Sequence, residues 1–499
     1  MASDQQSLVE EQIRLFCGDC HAVPKPESFP KARWYTEVRI GYQQYVRSGR
    51  DDLVPPSIAQ VVEYYRNRAP ETFTFRLPVE RSKGPPIPFE GEDVAWERSP
   101  SGAPAVAGLL FQPPQPGSSP SVIVSDMRSG LITAVFFDLD KVRGKPLARL
   151  NFPCRVERFD LGGSRAPAFV VAELGSFFAY DHDQGKVVLL QPQGENEAYV
   201  PIVLADGLGR VADIRVGDVD NDGDLDILVA EFGHYVTGSI TLLINEGVVN
   251  GRVTFSQRRL DPRSGTVHVR LFDFNGDGLQ DFFALISNEW ESIELFVNRG
   301  QGNFLARPIW RGPDLTFGLS GLELVDLDRD GDIDLLFTNG DSFDNLYANP
   351  WHGVQWLENV GSQGENPFRY HRLLDLPGAY RAVSGDIDGD EDLDIVVSAW
   401  LPRRVMPESL RHMDLPSLVI LEQRLAGQFQ CHILERSWPQ FPILLVEDLD
   451  SDGDLDIMAG RHTGLDELGT EPSFPLRVFW NRRKAPSPVV RSETSASVP

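Results

Sequence analysis

A nine-residue pattern, Asp-x-Asp/Asn-x-Asp-Gly/Glu-x-x-Asp followed by an apolar run, begins at Asp218, Asp273, Asp326, Asp386 and Asp448. Successive copies are 55, 53, 60 and 62 residues apart. Self-similarity at such a period restricts the chain to a repeat architecture, in which each unit buries its apolar surface only by stacking on copies of itself. A degenerate copy begins near Asp160, and Pro120-Ser-Val-Ile-Val-Ser-Asp126 fits one more that has lost its loop, giving about seven units.

Within a unit the texture is β. Ile227-Leu-Val-Ala-Glu, Ser239-Ile-Thr-Leu-Leu-Ile and Val253-Thr-Phe-Ser-Gln are short runs rich in β-branched and aromatic residues, separated by Gly and Asn. A unit of this length holds about four strands, the size of a propeller blade. The expected fold is therefore an all-β, seven-bladed β-propeller over residues 101–482. An open β-solenoid, the competing stack, uses shorter repeats.

The loops carry oxygen donors in a pattern suited to a hard divalent cation. Positions 1, 3, 5 and 9 are Asp218, Asp220, Asp222 and Asp226; Asp273, Asn275, Asp277 and Asp281; Asp326, Asp328, Asp330 and Asp334; Asp386, Asp388, Asp390 and Asp394; and Asp448, Asp450, Asp452 and Asp456. Position 7 offers a backbone carbonyl, at Asp224, Leu279, Asp332, Asp392 and Asp454. Gly at position 6 permits the turn, and oxygen ligands at this density favour calcium over zinc or copper, so up to five calcium ions are expected. Glu391 stands where the fourth loop should have its glycine. The continuation is an apolar strand such as Leu225-Asp-Ile-Leu-Val rather than the helix and position-12 Glu of an EF-hand.

In these residues and this context the chain resembles the FG-GAP or VCBS repeat family, whose best known relatives form the seven-bladed heads of integrin α chains. The resemblance covers roughly residues 100–482. It implies that each loop joins two strands of a blade, that calcium rigidifies it, and that the partner surface lies elsewhere on the ring.

Net charge is −26, of which the five loops supply −23 through 24 acidic residues and Arg329. Such a chain repels phosphate backbones, which excludes nucleic acid as a natural partner. Hydrophobic residues at 41% and charged residues at 24% describe a folded protein, and no run approaches the ~20 apolar residues of a membrane span.

Residues 1–75 read differently. Val9, Ile13 and Phe16, then Trp34, Val38, Tyr42 and Tyr45, then Ile58, Val61, Val62 and Tyr65 recur at helical spacing, with Ser57 placed to cap the third helix. Cys17-Gly-Asp-Cys20-His21 matches the attachment signature of a c-type haem, two thiols and an adjacent imidazole. A redox dithiol or half a zinc site would use the same spacing. With the Pro-rich run after it and Tyr64-Tyr65 with Ala69-Pro70, the segment resembles the cytochrome-c-like stretch preceding FG-GAP repeats in some bacterial secreted proteins. That resemblance implies heme c at Cys17, Cys20 and His21. Ile40 occupies the position matched to the usual axial Met, so a second ligand must come from elsewhere or be absent.

Residues 76–100 read as a linker and 483–499 as a polar, disordered tail. The four Cys allow three disulfide connectivities; Cys154 and Cys431 read as buried thiols, and the eight remaining His as surface or satisfied polar residues. No nucleophile or metalloprotease motif is visible, so an enzyme is not the favoured reading. The leading expectation is an exported, periplasmic or secreted calcium-binding propeller carrying a haem, acting in electron transfer or in docking a protein redox partner. No charged and apolar signal opens this sequence, which conflicts with export: a leader lies upstream of this start, or was removed, or the protein is cytoplasmic. A haem-free adhesion or carbohydrate-binding propeller, with an extracellular protein or glycan as partner, is the alternative; a propeller dehydrogenase passing electrons to the haem is a third.

Overall fold

The computed structural model of the protein describes residues 2–19, 22–80, 85–97, 99, 102–114, 119–138, 141–159, 166–194, 198–249, 252–343, 346–361, 367–464 and 474–483. Cys20, His21, the loop remnant at 160–165 and the tail beyond 483 lie outside them.

Three helices open the chain: α1 (Ala2–Cys17), α2 (Trp34–Arg47) and α3 (Ile58–Arg66). The Ser57 side chain accepts from the Gln60 amide while the Gln60 side chain accepts from the Ser57 amide, a capping box that satisfies two otherwise orphaned donors. Ile13, Phe29, Trp34, Val38, Val61 and Tyr65 form the common core, with Trp34 stacked on Tyr65 at 3.9 Å. No described helix is long and apolar enough to cross a membrane.

The rest is sheet. Among the described residues seven four-stranded antiparallel sheets form blades, six of them meanders at 106–149, 153–208, 211–261, 266–311, 319–375 and 379–436. The first strands touch one another in sequence and close a ring, the first blade meeting the seventh. Second strands such as Asp226–Glu231, Asp281–Ile286 and Asp334–Asn339 are buried along their whole length, because both faces of a blade are covered by its neighbours. Hence they read as continuous apolar runs rather than alternating ones. Blades two and three share Phe159, Val170, Leu189, Ile214, Ile227 and Val229, and blades five and six share Leu336, Trp356, Val397 and Val419. Each such side chain contributes about 1.5–3 kcal/mol of transfer free energy.

The seventh blade joins strands from both ends of the propeller. Strand β1 (Phe89–Val94) pairs antiparallel with Leu476–Asn481, in register from Phe89 opposite Asn481 to Val94 opposite Leu476. Composition placed 89–94 inside a linker. A fourth strand supplied from the far end of the sequence has no turn signal beside it, and only ring closure recruits it.

The acidic loops join first to second strands, so all five lie on one face of the disc. Connections from second to third strand, and from one blade to the next, emerge on the opposite face. There the helices dock: Ser28 Oγ donates to Asp314 Oδ2 at 2.6 Å, the Lys25 amide donates to the same oxygen at 3.1 Å, and Tyr347 packs into the helical core against Phe29.

Candidate functional site

The five loops share one internal hydrogen-bond scheme. The position-1 carboxylate accepts backbone amides across the turn: Asp218 from Asp222 and Gly223, Asp273 from Gly276, Asp277 and Gly278, Asp326 from Gly331, Asp386 from Gly389 and Glu391, and Asp448 from Asp452 and Gly453. The position-5 carboxylate accepts the position-7 amide at 2.9 Å in every loop, from Asp224, Leu279, Asp332, Asp392 and Asp454 in turn. These short Asp-to-backbone bonds curl the chain so that side chains converge.

Convergence is tight. Ligand oxygens of Asp218, Asp220 and Asp226 lie within 4.8 Å of one another, as do those of Asp326, Asp328 and Asp330, of Asp386, Asp388 and Asp390, and of Asp448, Asp450 and Asp456. In the blade-four loop Asn275 replaces one carboxylate with an amide oxygen beside Asp273, Asp277 and Asp281.

Position 9 has a second role. One oxygen accepts the position-2 amide, at 3.0 Å for Asp226 from Val219 and 3.1 Å for Asp281, Asp334, Asp394 and Asp456 from Phe274, Leu327, Ile387 and Leu449. The other accepts an amide of the third strand, from Asn245, Asn298, Asn359, Gln423 and Asn481. Buried carboxylates thus tie the loop to its own blade.

Crowding without a cation leaves these groups reluctant to ionise. Burial first, then neighbouring carboxylates, raise Asp220, Asp328 and Asp450 above the usual range, and Asp388 to about 6. Burial lifts Asp334, Asp394 and Asp456 to about 7, and raises Asp226 and Asp281. Asp220 Oδ1, Asp326 Oδ1 and Asp452 Oδ2 are buried without a hydrogen-bond donor among the described residues. An orphaned, buried carboxylate oxygen fits a cation ligand, so the donor set suits calcium.

Two features escaped sequence reasoning. Position 4 is left-handed like position 6: Asn221 at φ 65°, Gly276 at 70°, Arg329 at 59°, Gly389 at 72° and Ser451 at 62°. Its mixed composition hides the requirement. The Asn or Gln late in the third strand of blades three to seven is the second. Beyond its amide bond to position 9, the Asn298 side chain donates to Val219 O in the preceding blade, Gln423 to Leu327 O and Asn481 to Ile387 O. Its distance from the loop varies with hairpin length, which conceals the pattern.

At the other end of the chain, Cys17 is half-buried against the helical core, and burial pushes its thiol up to about 11. The buried Tyr65 hydroxyl lies beside it and interacts with the thiol. The thiol stands at the end of α1 beside the rings of Tyr42 and Tyr65, with Phe16 packed on Tyr42. Cys154 is buried, its thiol raised to about 12, whereas Cys431 is only half-buried. His182, His352, His432 and His462 are buried rather than on the surface.

The class these features define is a seven-bladed β-propeller with acidic loops on blades three to seven. Residues 218–284 and 273–337 match the FG-GAP-like repeat, each match running from one acidic loop into the second strand of the next blade. The chain carries FG-GAP-like repeats in that stretch. No curated protein matches it.

Proposed function

We propose that the protein is an exported, calcium-stabilised β-propeller whose opposite face, where the helices dock, presents a c-type haem domain for electron transfer or redox-partner docking. The observation that carries the calcium part is the recurrence of one carboxylate constellation on a single face, with buried oxygens lacking donors. Calcium would neutralise carboxylates that otherwise repel, and would stabilise the folded state by mass action. Titration of the purified full chain should give up to five sites, and chelation should lower the melting temperature. An unchanged melting temperature at saturating chelator sinks this part.

The haem part rests on the Cys17, Cys20 and His21 signature and on the aromatic residues packed beside Cys17. A bound haem supplies one-electron exchange. The chain's own contribution is to fix the first thiol at the end of α1 and to line its surroundings with Phe16, Tyr42, Trp34 and Tyr65. Protein matured in an exporting, haem-loading host should show a Soret band that survives acid–acetone extraction. Its absence supports the haem-free alternative, adhesion to a protein or glycan, for which exposed Phe178, Tyr235 and Phe343 on the helix-bearing face provide stacking surfaces.

A further inference from the structure

The inner wall of the ring carries charge that the acidic loops do not explain. In the first strands of blades two to four, the residues four and two places before the strand end are Arg155 and Glu157, Asp213 and Arg215, and His268 and Arg270. Alternation sends the residues between them, such as Ile214 and Val269, into the blade cores. Blade five adds Glu323, and blade six adds Arg381.

These groups meet across the axis. Arg381 Nη1 of blade six lies 3.0 Å from His268 Nε2 of blade four, a contact between blades that are not neighbours. Asp213 accepts from Arg215 at 2.9 Å, Arg270 at 2.7 Å and His268 Nδ1 at 3.1 Å. Glu157 accepts from Arg155 and Arg215, both at 2.7 Å. Glu323 is engaged by the amide and hydroxyl of Ser384. His268 Nδ1 faces Asp213, and its Nε2 faces both Arg381 and, at 3.2 Å, the Ser320 carbonyl.

Four guanidiniums therefore share three carboxylates and an uncharged imidazole. Burial and mutual repulsion push Arg215 down to about 9 and Arg270 and Arg381 to about 10, and burial pushes His268 to about 3. Arg381 Nε is buried with no hydrogen-bond partner among the described residues. Guanidinium stays protonated at neutral pH, so the cluster carries one positive charge in excess, which an anion would neutralise. Arg215 and Arg270 keep 12% and 11% of their side-chain exposure, so they border solvent-accessible space.

Over this cluster, on the helix-bearing face, Phe343 of blade five stacks on Trp400 of blade six at 3.9 Å, and Phe177 of blade two reaches His462 of blade seven at 5.8 Å. Phe343 also reaches His462 at 6.2 Å, so aromatic rings of blades two, five, six and seven meet over the axis.

We infer that the axial channel is an oxyanion site in which Arg381, with Arg270 and Arg215, holds phosphate or a small carboxylate through charge-assisted hydrogen bonds. Calorimetric titration of the full chain with inorganic phosphate, and separately with succinate, tests this and separates the two sources. One-to-one binding of either anion is expected, weakened at least about tenfold by Arg381→Gln, the loss of one charged hydrogen-bond donor. Glu323→Gln should shift affinity the other way, because it removes a competing negative charge, and it serves if Arg381→Gln fails to fold. Absence of binding by both anions, or an affinity that neither substitution changes, overturns the inference. Neither arm depends on calcium or haem occupancy.

Discussion

Glu391 shows what a single loop position demands. It sits at φ 76° where the equivalent residues are Gly223, Gly278, Gly331 and Gly453, and its amide still closes the turn on Asp386. A side chain in the left-handed region costs about 1 kcal/mol. Glu391→Gly should therefore stabilise the protein by about that amount, measured as a higher urea midpoint at unchanged slope. Buried histidines set a second residue-scale dependence. Burial holds His352 and His462 down to about 3, below the ordinary value of 6.5. The unfolded chain then binds more protons, so their contribution is complete above pH 6.5 and is lost as pH falls towards 3, at up to about 1.4 kcal/mol per unit for each group. Asp334, Asp394 and Asp456, raised to about 7, act in the opposite sense: without calcium their contribution is present at low pH and lost as pH rises through 7. Comparing variants isolates one histidine from this background. His462→Phe, which keeps an aromatic ring beside Phe177 and Trp400, should flatten the loss of stability between pH 6.5 and 4.5.

At the scale of the element, each loop does more than present oxygens. Position 9 fastens it to its own third strand, and in blades four, six and seven the Asn or Gln there also fastens it to the blade before, so these neighbours are latched at the acidic face. Asn298 is buried, and besides Val219 O it donates to Gln280 O at 3.0 Å. Asn298→Ala strands both carbonyls and should cost about 2 kcal/mol, read as a lower urea midpoint. Asn303→Ala, at an exposed turn of the same blade, should cost far less. These elements also show what sequence can disclose. The acidic loops were legible because five copies keep one internal spacing, and the second strands because burial on both faces leaves an unbroken apolar run. The latch was not, since hairpins of different length move the Asn relative to the loop. Nor were the axial charges: Arg215 and Arg270 read as the polar half of an alternating strand, and nothing local says that the polar side faces a closed axis instead of bulk water.

For the whole molecule the decisive event is closure. The last sheet is completed by an outer strand, Phe89–Val94, that comes from before the first blade and so ties the two ends of the propeller together. Without it, Leu476–Asn481, buried along most of its length, would offer a row of unpaired amides and carbonyls beside exposed apolar side chains. Ile87 packs with Phe441 and Phe479 in the same blade, so the segment that locks the ring begins before β1. The helices stand outside this lock, held to the opposite face by Asp314 and Tyr347. Two truncations separate the roles. A chain starting at residue 79 loses the helices and keeps the closing strand, and should retain a single cooperative unfolding transition. A chain starting at residue 96 loses β1 as well, opens the ring between blades seven and one, and should broaden that transition and aggregate. Light scattering during thermal unfolding, together with the sharpness of the transition, reads the difference; equal cooperativity in the two chains would mean that the ring holds without its last strand.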